Sequence, residues 1–89
     1  MRRYRRNPQL AARVIDEQAF VVTPADNKLH TLNETATTLW AMTAAGMTAD
    51  DAAAALCAEY EVDLATARRD AEACLEDLVA RQILIVDAT

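Results

Sequence analysis

Serine is absent from the 89 residues, and histidine, lysine and glycine occur once each, as His30, Lys28 and Gly46. A serine nucleophile and a glycine-rich phosphate cradle are thereby excluded, and a lone histidine leaves little for acid–base work. The expectation is a non-catalytic protein with no cofactor. Two cysteines, Cys57 and Cys74, are too few for a disulfide scaffold and form no CxxC pair. They read as small residues at or near a helical core. Aromatic residues make up only 4%. No apolar run is long enough to span a bilayer, and none follows the basic first residues before Asn7-Pro8. Neither a transmembrane helix nor a cleaved signal peptide is expected, which implies a cytoplasmic location.

What is present is alanine and charge. The chain is 53% hydrophobic, but 20 of its residues are alanine, so much of that share is small volume suited to closely spaced helices. The net charge of −5 is unevenly distributed. Residues 1–13 hold five arginines and no acid, whereas the remainder holds four bases and fourteen acids. An acidic body repels nucleic-acid phosphates. The basic segment, residues 1–12, reads as a frayed or weakly docked arm ahead of one domain over residues 13–86.

Arg13–Glu17 and Ala19–Thr23 are rich in β-branched and aromatic residues and read as two strands. Pro24 to Lys28 supplies turn chemistry before a third short strand, Leu29–Leu32. Alternation puts Leu29 and Thr31 on one face of it and His30 and Leu32 on the other.

Asn33 is a candidate N-cap for a helix from Glu34 to about Ala45, with Ala36, Leu39, Trp40 and Thr43 on one face and Gly46 as a left-handed C-cap. Thr48 and Asp51 make a capping-box pair for a second helix ending near Tyr60, with Ala52, Ala55 and Leu56 inward. Asp63 caps a third, whose apolar face is Leu64, Ala67, Ala71, Cys74, Leu75, Leu78 and Val79. Ile83–Val86 can continue that helix or leave it as an extended tail.

The segment Leu29-His30-Thr31-Leu32-Asn33-Glu34-Thr35-Ala36, then Leu39-Trp40, a glycine before a Thr-capped helix, and the stretch from Arg69-Asp70 to Ile83-Leu84 together resemble the PqqD-like family, the RiPP recognition elements. The similarity spans about residue 10 to residue 86. It departs at Ala45-Gly46 from the members of the PQQ pathway proper, in which an acid often precedes the turn glycine. The resemblance implies an α+β, winged helix-turn-helix-like fold, with a three-stranded N-terminal antiparallel sheet packed on a three-helix bundle. It also implies function by binding. Such proteins capture the leader of a ribosomally made precursor peptide and present it to a modifying enzyme, a radical SAM enzyme or a leader protease. The leader adds beside the third strand and lies against the third helix. Here that implies contacts from Leu29, His30, Thr31 and Leu32 and, across from them, Arg68, Arg69, Glu72, Leu75, Glu76 and Val79.

Each residue also has a plainer reading. His30 fits an ordinary half-exposed strand position, and Trp40 lies on the packing stripe. Arg68 and Arg69 stand four and three residues before Glu72, so they can pair within the helix or meet acidic leader residues. The acids Asp70, Glu72, Glu76 and Asp77 suit a solvated face, and without a histidine partner they suggest no metal site. The competing function is a winged-helix DNA-binding regulator. Its recognition helix, Asp63 to Arg81, would carry three arginines against five acids, the wrong sign for phosphates. A homodimer formed through strand edges or alanine-rich helices is a third alternative.

Overall fold

Residues 2–88 are described by a computed structural model. The elements in order are β1 (Arg2–Arg6), β2 (Ala11–Ile15), β3 (Gln18–Thr23), β4 (Lys28–Thr31), α1 (Glu34–Met42), a 3-10 turn over Thr43–Ala45, α2 (Ala49–Glu59), α3 (Leu64–Ala80) and β5 (Leu84–Ala88). Two antiparallel sheets result, one of three strands ordered β2-β3-β4 and one pairing β1 with β5. The first is the expected N-terminal sheet.

The β2–β3 hairpin turns through Asp16 and Glu17, at φ 52° and 64°, which is why β2 stops at Ile15 rather than reaching Glu17. Two successive left-handed residues give the turn whose twist matches the flanking strands. Its closing pair is Ile15 opposite Gln18. The next turn is held by Asp26, which accepts hydrogen bonds from the Thr23 hydroxyl and the Lys28 amide, with Asn27 left-handed at φ 55°. Along β3, Ala19, Val21 and Thr23 are buried, so one face of the sheet lies on the core.

The three expected caps are present. Asn33 Oδ1 accepts from the Ala36 amide at 2.8 Å and Asp63 Oδ1 from the Thr66 amide at 2.8 Å. Thr48 and Asp51 exchange bonds at 3.2 and 3.0 Å, closing a capping box. The stripe Ala36, Leu39, Trp40 and Thr43 is buried as the spacing predicts. Ala67, Ala71, Leu75 and Leu78 are buried in α3, but Leu64 is 66% exposed. It is the first residue after the cap and overshoots the edge of the core.

Gly46 departs from the expected left-handed cap. Its φ of 82° is positive, but its ψ of 150° is extended, a combination that essentially only glycine adopts. The chain leaves the 3-10 turn straight and runs beside β1, where Tyr4 and Met47 exchange backbone bonds of 2.7 and 2.9 Å.

That contact overturns the expectation of a frayed arm. β1 is hydrogen-bonded to β5 on one side and bridged to Met47 on the other, and Tyr4 is only 3% exposed. Alternation lets one aromatic enter the core while the flanking arginines stay at the surface. Tyr4 Oη donates to Glu76 at 2.9 Å, and burial, reinforced by that carboxylate, raises its pKa. Arg6 is also tied down. Its guanidinium lies 3.9 Å from the centroid of the Trp40 ring and donates to the Trp40 and Ala41 carbonyls at 3.2–3.3 Å, satisfying the C-terminal end of α1. The open question at Ile83–Val86 resolves as strand from Leu84 onward, because β1 supplies a partner.

Tyr4→Ala should therefore lower unfolding stability by about 3 kcal/mol in urea titration, the scale of a lost buried aromatic, whereas a frayed arm would leave it unchanged. A pH effect follows from the caps. Hydrogen bonds from the backbone and then the side chain of Thr48 hold Asp51 below its ordinary 3.8, and those from Thr66 do the same for Asp63. A depressed folded value means that the contribution is complete above pH 3.8 and disappears as the pH falls through that folded value. The urea midpoint should fall with acidification below pH 4, and Asp51→Asn with Asp63→Asn should flatten that part of the curve.

Candidate functional site

The outer edge of β4 is the feature around which a site can be built. Antiparallel strands alternate between residues that bond one neighbour and residues that face away from it. The Leu32 amide bonds the Ala19 carbonyl at 3.0 Å, which sets the phase. Lys28, His30 and Leu32 therefore bond inward to β3, and Leu29 and Thr31 direct their N–H and C=O groups outward. Among the described residues no strand occupies that edge. An edge of this kind is a template for an extended chain.

The four β4-region residues singled out from the sequence are thus together, in different environments. Leu29 is 65% exposed and Thr31 is exposed. His30 is half-buried, with Nε2 3.1 Å from the Thr23 hydroxyl oxygen. Leu32 is 1% exposed and belongs to the core.

Beside Thr31 and Leu32 a groove of about 350 Å³ runs between the start of α1 and one flank of α3. Leu32, Ala36 and Leu78, themselves buried, form its apolar floor, and Ala73 and Cys74 are small enough to leave room above it. Burial, and after it Asp77, pushes the Cys74 thiol above its ordinary range. It therefore stays protonated at neutral pH and is a poor nucleophile. Asp77 and Arg81, also in the lining, pair at 3.0 Å. The arrangement suits an extended peptide with an apolar side chain directed inward, the backbone held by strand pairing.

The α3 residues expected to face the strand are placed elsewhere. Leu75 is 0% exposed and is core. Arg68, Glu72 and Glu76 line a separate cavity of about 400 Å³ with Arg2, Tyr4 and Asp50. There Arg68 pairs with Glu72 at 2.7 Å and with Asp50, and Glu76 receives Arg2 at 3.0 Å and the Tyr4 hydroxyl. The intrahelical reading of Arg68 is the one observed. Arg69 is exposed, and Val79 is partly buried against the core. The structure does not bring Arg68, Glu72 and Glu76 to the β4 edge. At 100° per residue they lie on one flank of the buried stripe, and Ala73, Asp77 and Arg81 lie on the other. The signal for the second flank was present in the same periodicity, but the side on which β4 would lie was not.

The profile for Coenzyme PQQ synthesis protein D (PqqD) matches residues 18–84, from the start of β3 to the start of β5. The chain belongs to the PqqD family. Two solved structures share its fold. "TbiB1 in Complex with the TbiA(beta) Leader Peptide" is 22% identical with a TM-score of 0.82, covering 90% of this chain and 93% of that one. "Lasso peptide synthetase B1 complexed with the leader peptide" is 24% identical with a TM-score of 0.80, covering 92% and 96%. The PqqD-type architecture inferred from the sequence is therefore the observed one, with β1 and β5 as an additional pair. No curated protein matches the chain. Among the described residues, no helix is long and apolar enough to cross a membrane.

The two leucines separate the groove from the core. Leu75→Arg should abolish cooperative unfolding, because it places a charge at a fully buried position. Leu29→Asp should retain the wild-type circular dichroism spectrum and lie within about 0.5 kcal/mol of wild-type stability, as for other exposed positions.

Proposed function

We propose that this PqqD-family chain is a non-catalytic peptide-binding protein that captures the leader of a ribosomally synthesised precursor peptide by strand addition to β4. The observation that carries the reading is the outward backbone of Leu29 and Thr31 beside the groove between α1 and α3. An incoming strand satisfies those N–H and C=O groups whatever its sequence, while an apolar side chain entering over Leu32, Ala36 and Leu78 provides selectivity. That both structural neighbours are complexes with leader peptides supports the same reading. Leu29, His30 and Thr31 are the strand contacts. Ala73, Cys74, Asp77 and Arg81 replace the opposite flank of α3 as the helix contacts.

The captured leader is presented in the cytoplasm to a modifying enzyme, a radical SAM enzyme or a leader protease. Ordering a flexible leader subtracts from the gain in backbone bonds, so an affinity of about 1 μM is the natural scale. A DNA-binding role has less support. Arg68 and Arg81, two of the three arginines on the candidate recognition helix, are engaged with acids of this chain.

The test uses a synthetic leader segment from a short reading frame adjoining the gene. On titration, the Leu29 and Thr31 amides should shift and exchange more slowly with solvent. Thr31→Pro removes an N–H that bonds nothing within the sheet, so it should leave the fold intact and weaken binding at least about tenfold. Undiminished affinity of the folded variant would refute strand addition at β4.

A further inference from the structure

The three-stranded sheet has a second open edge. β2 pairs only with β3 among the described residues, and all five of its residues are exposed. Counting alternate pairs from the one that closes the two-residue turn, Ile15 with Gln18, puts Arg13 and Ala11 in bonding positions to β3. Ala12 and Val14 therefore point their N–H and C=O groups away from the sheet. Their side chains share the face of Val21 and Ala19, the face that is buried in β3. β2 thus overhangs the core. Val14 remains 52% exposed on a face that is buried at Ala19, Val21 and Thr23 of β3.

Below the overhang lies a groove of about 380 Å³ between β2 and the outer side of α1, lined by Val14, Glu17, Glu34, Thr38, Ala41 and Glu59 among others. Its lining includes three carboxylates and no cationic side chain. The geometry points to a second strand-docking site here, whose occupant is an extended segment of a partner polypeptide that alternates apolar and basic residues. The backbone of that segment pairs with Ala12 and Val14. An apolar side chain covers Val14, and lysine or arginine side chains reach the carboxylates.

Charge selects this occupant. A second copy paired through β2 would bring two sets of these carboxylates together, and like charges across a strand pair are unfavourable. An acidic or neutral strand would leave the three glutamates unmatched. A basic one gains at each. β2 and β4 are opposite edges of one sheet, so this docking does not depend on leader capture and leaves the β4 edge accessible. Two extended chains can be held on one scaffold at once, each about two strand spacings, roughly 10 Å, from the central strand β3.

The experiment uses two synthetic ten-residue probes, alternating lysine with valine and glutamate with valine, added to the whole chain with amide hydrogen exchange followed residue by residue. The lysine probe should slow exchange at Ala12 and Val14 by about tenfold at saturation, and the glutamate probe should not. Ala12→Pro removes an N–H that is free in the sheet. It should abolish the protection while leaving exchange at Val21 unchanged, which reports an intact fold. Glu17→Gln with Glu59→Gln should weaken binding of the lysine probe by about tenfold at low salt. Protection by both probes alike, protection at Leu29 and Thr31 alone, or no protection would overturn the proposal. So would protection of Ala12 that rises with protein concentration in the absence of probe, which would identify a second copy as the occupant. Leader binding, read at Leu29 and Thr31, is scored separately, so either site can fail without the other.

Discussion

Every edge of a sheet presents backbone donors and acceptors that must bond to something, and the distribution of partners among those edges determines what this molecule can do. The β1–β5 ribbon consumes its own groups on one side of β1 and those of Met47 on the other. Among the described residues, the three-stranded sheet keeps both flanks free. Closure of one sheet and openness of the other arise from the same chemistry. The difference is that Tyr4 brings β1 into the core, whereas β4 leads at once into α1 and the later strand, β5, pairs with β1.

The helical half of the fold was legible because its signals are local. Asn33, Thr48 and Asp63 each cap within three residues, and the stripe from Ala36 to Thr43 repeats with the helical period. The β2–β3–β4 meander was legible from β-branched runs and turn residues, apart from the exact turn, since Asp16 and Glu17 lack the glycine that usually marks two left-handed positions. β1 was hidden. Four of its five residues are arginine, and only the central Tyr4 shows that one face is buried. Its partner, Leu84–Ala88, lies at the far end of the chain, where local pattern has no reach.

The site was half legible for a similar reason. An edge strand can be read from alternation in four residues, and Leu29 to Leu32 were read so. The helix opposite it has two polar flanks around one buried stripe, and choosing between Glu72-Glu76 and Ala73-Asp77 requires knowing how α3 is rotated relative to β4. That rotation is set by long-range packing. Tyr4 and Arg2 against Glu76, and Asp50 against Arg68, occupy one flank and leave the other to the groove.

Arg6 over Trp40 has a practical corollary. Trp40 is the single tryptophan, its indole N–H is buried without a hydrogen-bond partner among the described residues, and its face is shielded by a side chain from β1. Detachment of that strand would expose the ring to water at once, whereas a guest seated along β4 would leave it untouched. Intrinsic fluorescence is therefore a built-in gauge of whether the two chain ends remain zipped, readable without any label and blind to cargo.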